Sequence, residues 1–154
     1  MTTATAPTTS ASRTDVSATS ANRTDLALLL IRLMVGGSFC AHGAQKLFVF
    51  GIAGITKGFT QFGVPLPAIT APLVTFVELF AGIALIIGLL TRLAAFGLAI
   101  DMLGAMAFVH FKNGFFLPTG YEYALTLLVI CLAIMTAGPG RYSLDANIAA
   151  RRGR

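Results

Sequence analysis

Four apolar stretches divide the chain, each close to the length of a bilayer crossing. The first runs from about Leu26 to Phe50 (LALLLIRLMVGGSFCAHGAQKLFVF) and the second from about Ile69 to Leu90 (ITAPLVTFVELFAGIALIIGLL). The third covers about Leu93 to His110, and the fourth about Tyr121 to Ala137. Crossing ~30 Å of hydrocarbon takes about 20 helical residues at ~1.5 Å each. The pattern therefore predicts an all-α fold, a bundle of four transmembrane helices. Asp25 is placed to cap the first helix and Gly51 to stop it. Pro72 fits the first turn of the second. Thr91-Arg92 is so short a link that the second and third helices read as a tight antiparallel hairpin. Gly36 and Gly43, one heptad apart, give the first helix a smooth stripe for close contact.

Between the first two spans, Ile52, Ile55, Phe59 and Phe62 recur at helical spacing opposite Lys57 and Gln61. That pattern predicts a short interfacial helix, ended by Gly63, Pro65 and Pro67. Residues 1–25 are rich in Thr, Ser and Ala and have almost nothing to bury, so they read as a disordered cytoplasmic tail. They contain no apolar h-region and so do not read as a signal peptide. A lipoprotein signal ending at Cys40 fails as well, because Arg32 interrupts the run and bulky Phe39 precedes the cysteine. The membrane domain is expected over residues 26–147, followed by a basic cytoplasmic tail at 148–154.

Composition agrees with the pattern. Hydrophobic residues make up 56% and charged residues 11%, against ~25% charged in a soluble domain. So short a soluble chain cannot hide that much apolar surface, which makes this an integral membrane protein. The net charge of +5 sits at the ends and between apolar runs, with no basic-aromatic patch, so no nucleic-acid partner is expected. Four spans place both termini on one side. Arg13, Arg23, Arg92, Arg141, Arg151, Arg152 and Arg154 share that side, and Lys46, Lys57 and Lys112 lie on the other. The positive-inside rule then predicts cytoplasmic termini in a bacterial inner membrane.

Polar residues inside the spans carry the chemical signal, because each is costly unless it faces protein or water. Counted from the cytoplasmic ends, Arg32 lies about 9 Å deep, Asp101 about 12 Å and Glu78 about 18 Å. These three are expected to form one buried polar core. His42 and His110 both fall roughly 25 Å from those ends, near Gln45, Lys46 and Glu122. This second layer is expected to line an outward-opening pocket for a polar headgroup. Structural alternatives stand beside both: an ion-pair network that fixes helix assembly, hydrogen-bonding interfacial histidines, and snorkelling Lys46 and Lys57. No metal site is expected, since Glu122 is the only obvious third ligand for the two histidines. Cys40 and Cys131, about 21 Å and about 10 Å deep, are too far apart for a disulfide and belong to no CxxC motif.

Three motifs together resemble the DoxX family: R-x(9)-HGxQKLF (Arg32, His42 to Phe48), ELFAGIALIIGLLTRLAA (Glu78 to Ala95) and EYALTLLVICLAIMTAGPGRYSLD (Glu122 to Asp145). The resemblance covers about residues 26–147 in order. It implies a small four-helix bacterial membrane protein; the family name comes from similarity to a subunit of an archaeal thiosulfate:quinone oxidoreductase. Arg32, His42, Lys46, Glu78 and Glu122 match recurring polar positions of the family, whereas Asp101 and His110 rest on the depth argument alone. The resemblance implies a role beside quinone-linked redox chemistry or oxidative-stress defence, without a defined reaction or catalytic residues. The expected function is an accessory or quinone-interacting subunit of a membrane redox system, with quinone as its cofactor and a redox protein as its partner. The proton that accompanies quinone reduction would pass through His42 or a carboxylate. The main rival is a non-catalytic scaffold or assembly factor that recruits a partner enzyme. A third reading, a small transporter, needs oligomerisation. The absence of an accessible cysteine pair weighs against direct thiol-disulfide chemistry.

Overall fold

The computed structural model describes residues 11–153, with side chains from Ser20 onward. Among the described residues six α-helices follow one another: α1 Ala11–Ala44, α2 Gly51–Phe62, α3 Pro67–Ile87, α4 Thr91–Ala105, α5 Glu122–Ala137 and α6 Leu144–Arg152. Wider π turns prolong two of them, α1 through Gln45–Phe50 and α4 through Met106–His110. No strand occurs among the described residues. Three helical stretches among the described residues are long and apolar enough to cross a membrane: Ser20–Phe62, Pro67–Ile87 and Thr91–Asn113. The apolar α5 is shorter. The fold is the all-helical membrane bundle that the patterning predicts.

Several boundaries differ from expectation. The helix of α1 already runs at Ala11, so residues 11–25 are helical where a disordered tail was expected; residues 1–10 lie outside the described residues. No Gly or Pro interrupts this stretch, and extending a formed helix is far easier than nucleating one. Asp25 therefore caps nothing, and its Oδ1 instead accepts a hydrogen bond from the Arg141 backbone N–H at 2.9 Å. Pro67, not Pro72, opens α3. The segment 51–62 forms α2 as expected, set off from α1 by Gly51 at φ +68°.

Around the bundle, α1 packs on α3, α3 on α4, α4 on α5, and α5 returns to α1, while α2 lies against α3. The α1–α3 contact is the closest because glycines form it. A Cβ on Gly36 would meet the Gly82 carbonyl at 2.7 Å, one on Gly43 the Leu79 N at 2.6 Å, and one on Gly82 the Cys40 N at 2.6 Å. Val35, Phe39, Leu85, Leu98, Cys131 and Ile134 fill the core between these helices. Large apolar side chains such as Met34, Phe48 and Phe80 point outward, forming the surface that lipid covers.

The C-terminal segment is helical too, most of the expected basic tail lying in α6. Ser143 caps α6 by accepting from the Ala146 N–H at 3.1 Å. The Asp145 carboxylate accepts from the Leu90 and Thr91 N–H groups at 2.8 and 2.9 Å, and its own N–H donates to the Gly88 carbonyl. The start of α4 has no cap of its own, so the chain after α5 folds back and supplies one. Burial disfavours the charge on Asp145, but the hydrogen bonds from Thr91 and Leu90 and the nearby Arg32 charge outweigh it. The carboxyl is held below its ordinary value.

Candidate functional site

Arg32 does not join Glu78 and Asp101, contrary to the expected three-residue core. It is almost fully buried, yet all of its bonds go to backbone carbonyls. Nε donates to Leu85 O at 3.0 Å, Nη2 to Tyr142 O at 2.8 Å, and Nη1 to Pro139 O. These carbonyls belong to the end of α3 and to the turn after α5, where free carbonyls are abundant. Gly88, at φ +71°, leaves room for the arrangement; a Cβ there would lie 2.8 Å from Arg32 Nη2 and 2.5 Å from Ser143 Cβ.

The chemistry gathers at the opposite end of the bundle. A cavity of about 790 Å³ opens between the end of α1, α2, α3 and the end of α4. Phe50, Phe59, Phe62, Leu73, Ile100 and Phe108 supply much of its wall, and Lys46, Glu78, Asp101 and His110 supply the ionisable groups. The hydrophobic repeat of α2 turns inward here, so this helix covers a cavity as well as edging a membrane. Lys46 Nζ forms an ion pair and hydrogen bond with Glu78 Oε2. The Glu78 side chain is 5% exposed, so the carboxylate depends on that cation. Asp101 lines the same cavity within range of both charges. Its Oδ2 is buried without a hydrogen-bond partner.

Two π turns help to build the cavity. Lys46 and Phe50 lie in the turn that ends α1, Phe108 and His110 in the turn that ends α4. A π turn holds an extra residue, which rotates the side chains after it around the helix axis; such turns are frequent at functional sites. His110 stands at the cavity with Nδ1 2.9 Å from the Thr119 carbonyl. Beside it, Lys112 Nζ lies 5.2 Å from the centroid of the Phe62 ring, joining the α4–α5 loop to the end of α2.

The five residues expected to form one headgroup pocket separate. Lys46 and His110 line the cavity, whereas His42, Gln45 and Glu122 do not. His42 is exposed on the outside of α1, its ring centroid 6.5 Å from that of Tyr123. Gln45 is exposed. Glu122 Oε1 accepts from the Leu117 N–H at 3.1 Å and so orders the α4–α5 loop. Glu78 and Asp101, expected at a deeper level with Arg32, belong to the cavity instead. Among the described residues, no group of three or more His, Cys, Asp or Glu side chains forms a metal-holding set.

As built, the site offers an apolar, aromatic cleft that ends in an ammonium–carboxylate pair and one further carboxyl group. Such a cleft can hold an apolar molecule by its body and orient it by a polar head.

Comparison with known proteins points to one family. The family model described as DoxX matches residues 27–111. An uncharacterized membrane protein of Mycobacterium tuberculosis is 33% identical over 135 residues, covering 80% of this chain and 82% of its own. An uncharacterized protein of Haemophilus influenzae is 34% identical, over 77% and 87% of the two chains. A Bacillus subtilis protein with a provisional oxidoreductase name, CatD, is 31% identical over 71% of this chain and 79% of its own. No solved structure matches.

Proposed function

The chain belongs to the DoxX family, and from that membership we propose that it is an accessory, quinone-interacting subunit of a membrane redox system. One observation carries the reading: an apolar cavity of about 790 Å³ converges on Lys46, Glu78 and Asp101. A quinone has the matching form, a flat head with carbonyl acceptors and an apolar tail. Lys46 has three N–H donors and uses one on Glu78, which leaves donors for a head-group carbonyl. Phe50, Phe59 and Phe108 offer flat apolar surface to the ring and tail. A bound quinone would supply two-electron redox chemistry; this chain's residues bind it, orient it and stand beside it with ionisable groups. Electrons come from a partner redox protein, since Cys40 and Cys131 are separate free cysteines. The provisional name of the Bacillus relative supports the same direction. The arginine bias toward the termini supports a bacterial inner-membrane location with both termini cytoplasmic.

Purified protein in mild detergent tests the reading by quantifying extracted quinone and titrating decylubiquinone. Wild-type protein should carry or bind it, and Lys46→Met and Glu78→Gln should each weaken binding about tenfold or more while helicity persists. A wild-type protein that neither carries quinone nor binds decylubiquinone ends the proposal.

A non-catalytic scaffold that recruits a partner enzyme is the second reading, favoured by the outer face of α1 and α5. Ser38 Oγ and Tyr123 Oη share a hydrogen bond at 2.8 Å, with exposed His42 beside them. Unlike that bonded pair, an exposed imidazole at this depth finds no hydrogen-bond partner in hydrocarbon. That reading predicts a co-purifying protein lost on His42→Leu/Tyr123→Leu and insensitive to Glu78→Gln.

A further inference from the structure

The cavity holds two carboxyl groups but one ammonium group. Lys46 is engaged with Glu78, which leaves the Asp101 carboxyl beside that of Glu78, its Oδ2 buried without a hydrogen-bond partner. Ionisable groups reach its surroundings from three neighbouring helices, Lys46 from the end of α1, Glu78 from α3 and Cys131 from α5, with His110 farther along the cavity and none supplied by α2. Lys46 is the only permanent cation in that set. A second carboxylate would therefore stand uncompensated among apolar walls, where a buried unpaired charge is far less stable than its protonated form.

Resting on the quinone reading above, we propose that Asp101 is a neutral carboxylic acid at this cavity, whose O–H is the donor that recognises a carbonyl acceptor on an apolar ligand. The assignment gives Asp101, with its unpartnered Oδ2, a function that bare burial lacks. It also divides the labour in the site: Lys46, neutralised by Glu78, offers its remaining donors to one carbonyl of the head group, and Asp101 donates to another. The recognition needs a donor at this position, not a charge. An amide should therefore serve nearly as well as the acid, and an isosteric hydrocarbon should fail.

The experiment uses full-length protein in lipid nanodiscs, with three readouts. Infrared spectroscopy at neutral pH should show the carbonyl stretch of a protonated carboxyl in wild type and Glu78→Gln, and not in Asp101→Asn. Decylubiquinone should bind Asp101→Asn within about threefold of wild type and Asp101→Leu about tenfold more weakly, the loss expected for one buried hydrogen bond. Tetraphenylphosphonium, an apolar cation, should show no binding that depends on Asp101. A wild type lacking the infrared band, or a band unchanged by Asp101→Asn, overturns the assignment. Tetraphenylphosphonium binding abolished by Asp101→Asn also overturns it, since that requires a carboxylate. A band that disappears in Asp101→Asn, in a protein whose wild type binds no decylubiquinone, overturns the quinone reading and supports the acid. Equal binding of decylubiquinone by wild type and Asp101→Leu overturns the recognition role.

Discussion

Arg32 donates from three nitrogens to carbonyls of two separate segments, so its guanidinium fastens the end of α3 to the chain after α5. Each carbonyl loses a charge-assisted partner when the side chain is removed. Arg32→Ala should therefore cost about 3 kcal/mol or more, seen as a lower Tm in detergent. Arg32→Lys should recover only part of it, because a single ammonium cannot span the three acceptors that a planar fork reaches. A lysine variant as stable as wild type would refute this account. Lys46 and Glu78 behave differently, as a pair. Lys46→Met alone leaves a buried carboxylate uncompensated and should cost about 3 kcal/mol, whereas Lys46→Met/Glu78→Leu should regain most of the loss. Additive losses in that double-mutant cycle would show the two residues to be uncoupled.

Helices were legible where one helix carries its own signal. The four apolar runs, the amphipathic repeat of α2 and the glycine heptad at Gly36 and Gly43 each repeat at a spacing readable without a neighbour. The side-chain partnerships were not legible, for two reasons. Depth along a helix axis ranks residues by height, but not by which way a long side chain reaches: Arg32 turns to the Leu85, Pro139 and Tyr142 carbonyls at one end of the bundle, and Lys46 reaches Glu78 from the other. The π turn at Gln45–Phe50 then alters the facing of Lys46, and its flexible stem reaches a carboxylate assigned to another level. The role of Asp145 was equally hidden, since capping of α4 by a residue 54 positions away leaves no local pattern.

That contact gives the element-scale prediction. With its folded value lowered, Asp145 contributes stability fully above about pH 4, and the contribution disappears as acid brings the pH down through the lowered value. The Leu90 and Thr91 amides should accordingly exchange slowly with solvent deuterium at neutral pH and faster on Asp145→Asn, after correction for intrinsic rates. Unchanged protection would mean that the carboxylate contributes nothing to the start of α4. The α1–α3 seam should be just as sensitive: a side chain at Gly82 meets two backbone atoms of α1, Cys40 N and Gly36 O, within 3 Å. Gly82→Leu should therefore abolish the cooperative thermal transition, while Gly37→Ala, which meets nothing within 4 Å, should leave it intact.

At the scale of the whole molecule, orientation decides who can reach the cavity. Its lining comes from the end of α1, α2 and the end of α4, the end of the bundle away from both termini. Pairing with Glu78 removes Lys46 from the charge asymmetry. Among residues with described side chains, Arg23, Arg92, Arg141, Arg151 and Arg152 then face only Lys57 and Lys112. The positive-inside bias thus becomes sharper once the ion pair is recognised. Cysteine labelling tests it, with Cys40 and Cys131 replaced by Ala and single cysteines introduced by Phe116→Cys and Ala150→Cys. An impermeant thiol reagent should label the first in intact cytoplasmic-membrane spheroplasts and the second only after permeabilisation. That result puts the cavity in the outer half of the bilayer, so an electron-donating partner must meet a bound quinone from within the membrane or from its outer side. The reverse labelling would turn the cavity toward the cytoplasm and make a soluble cytoplasmic donor the natural partner.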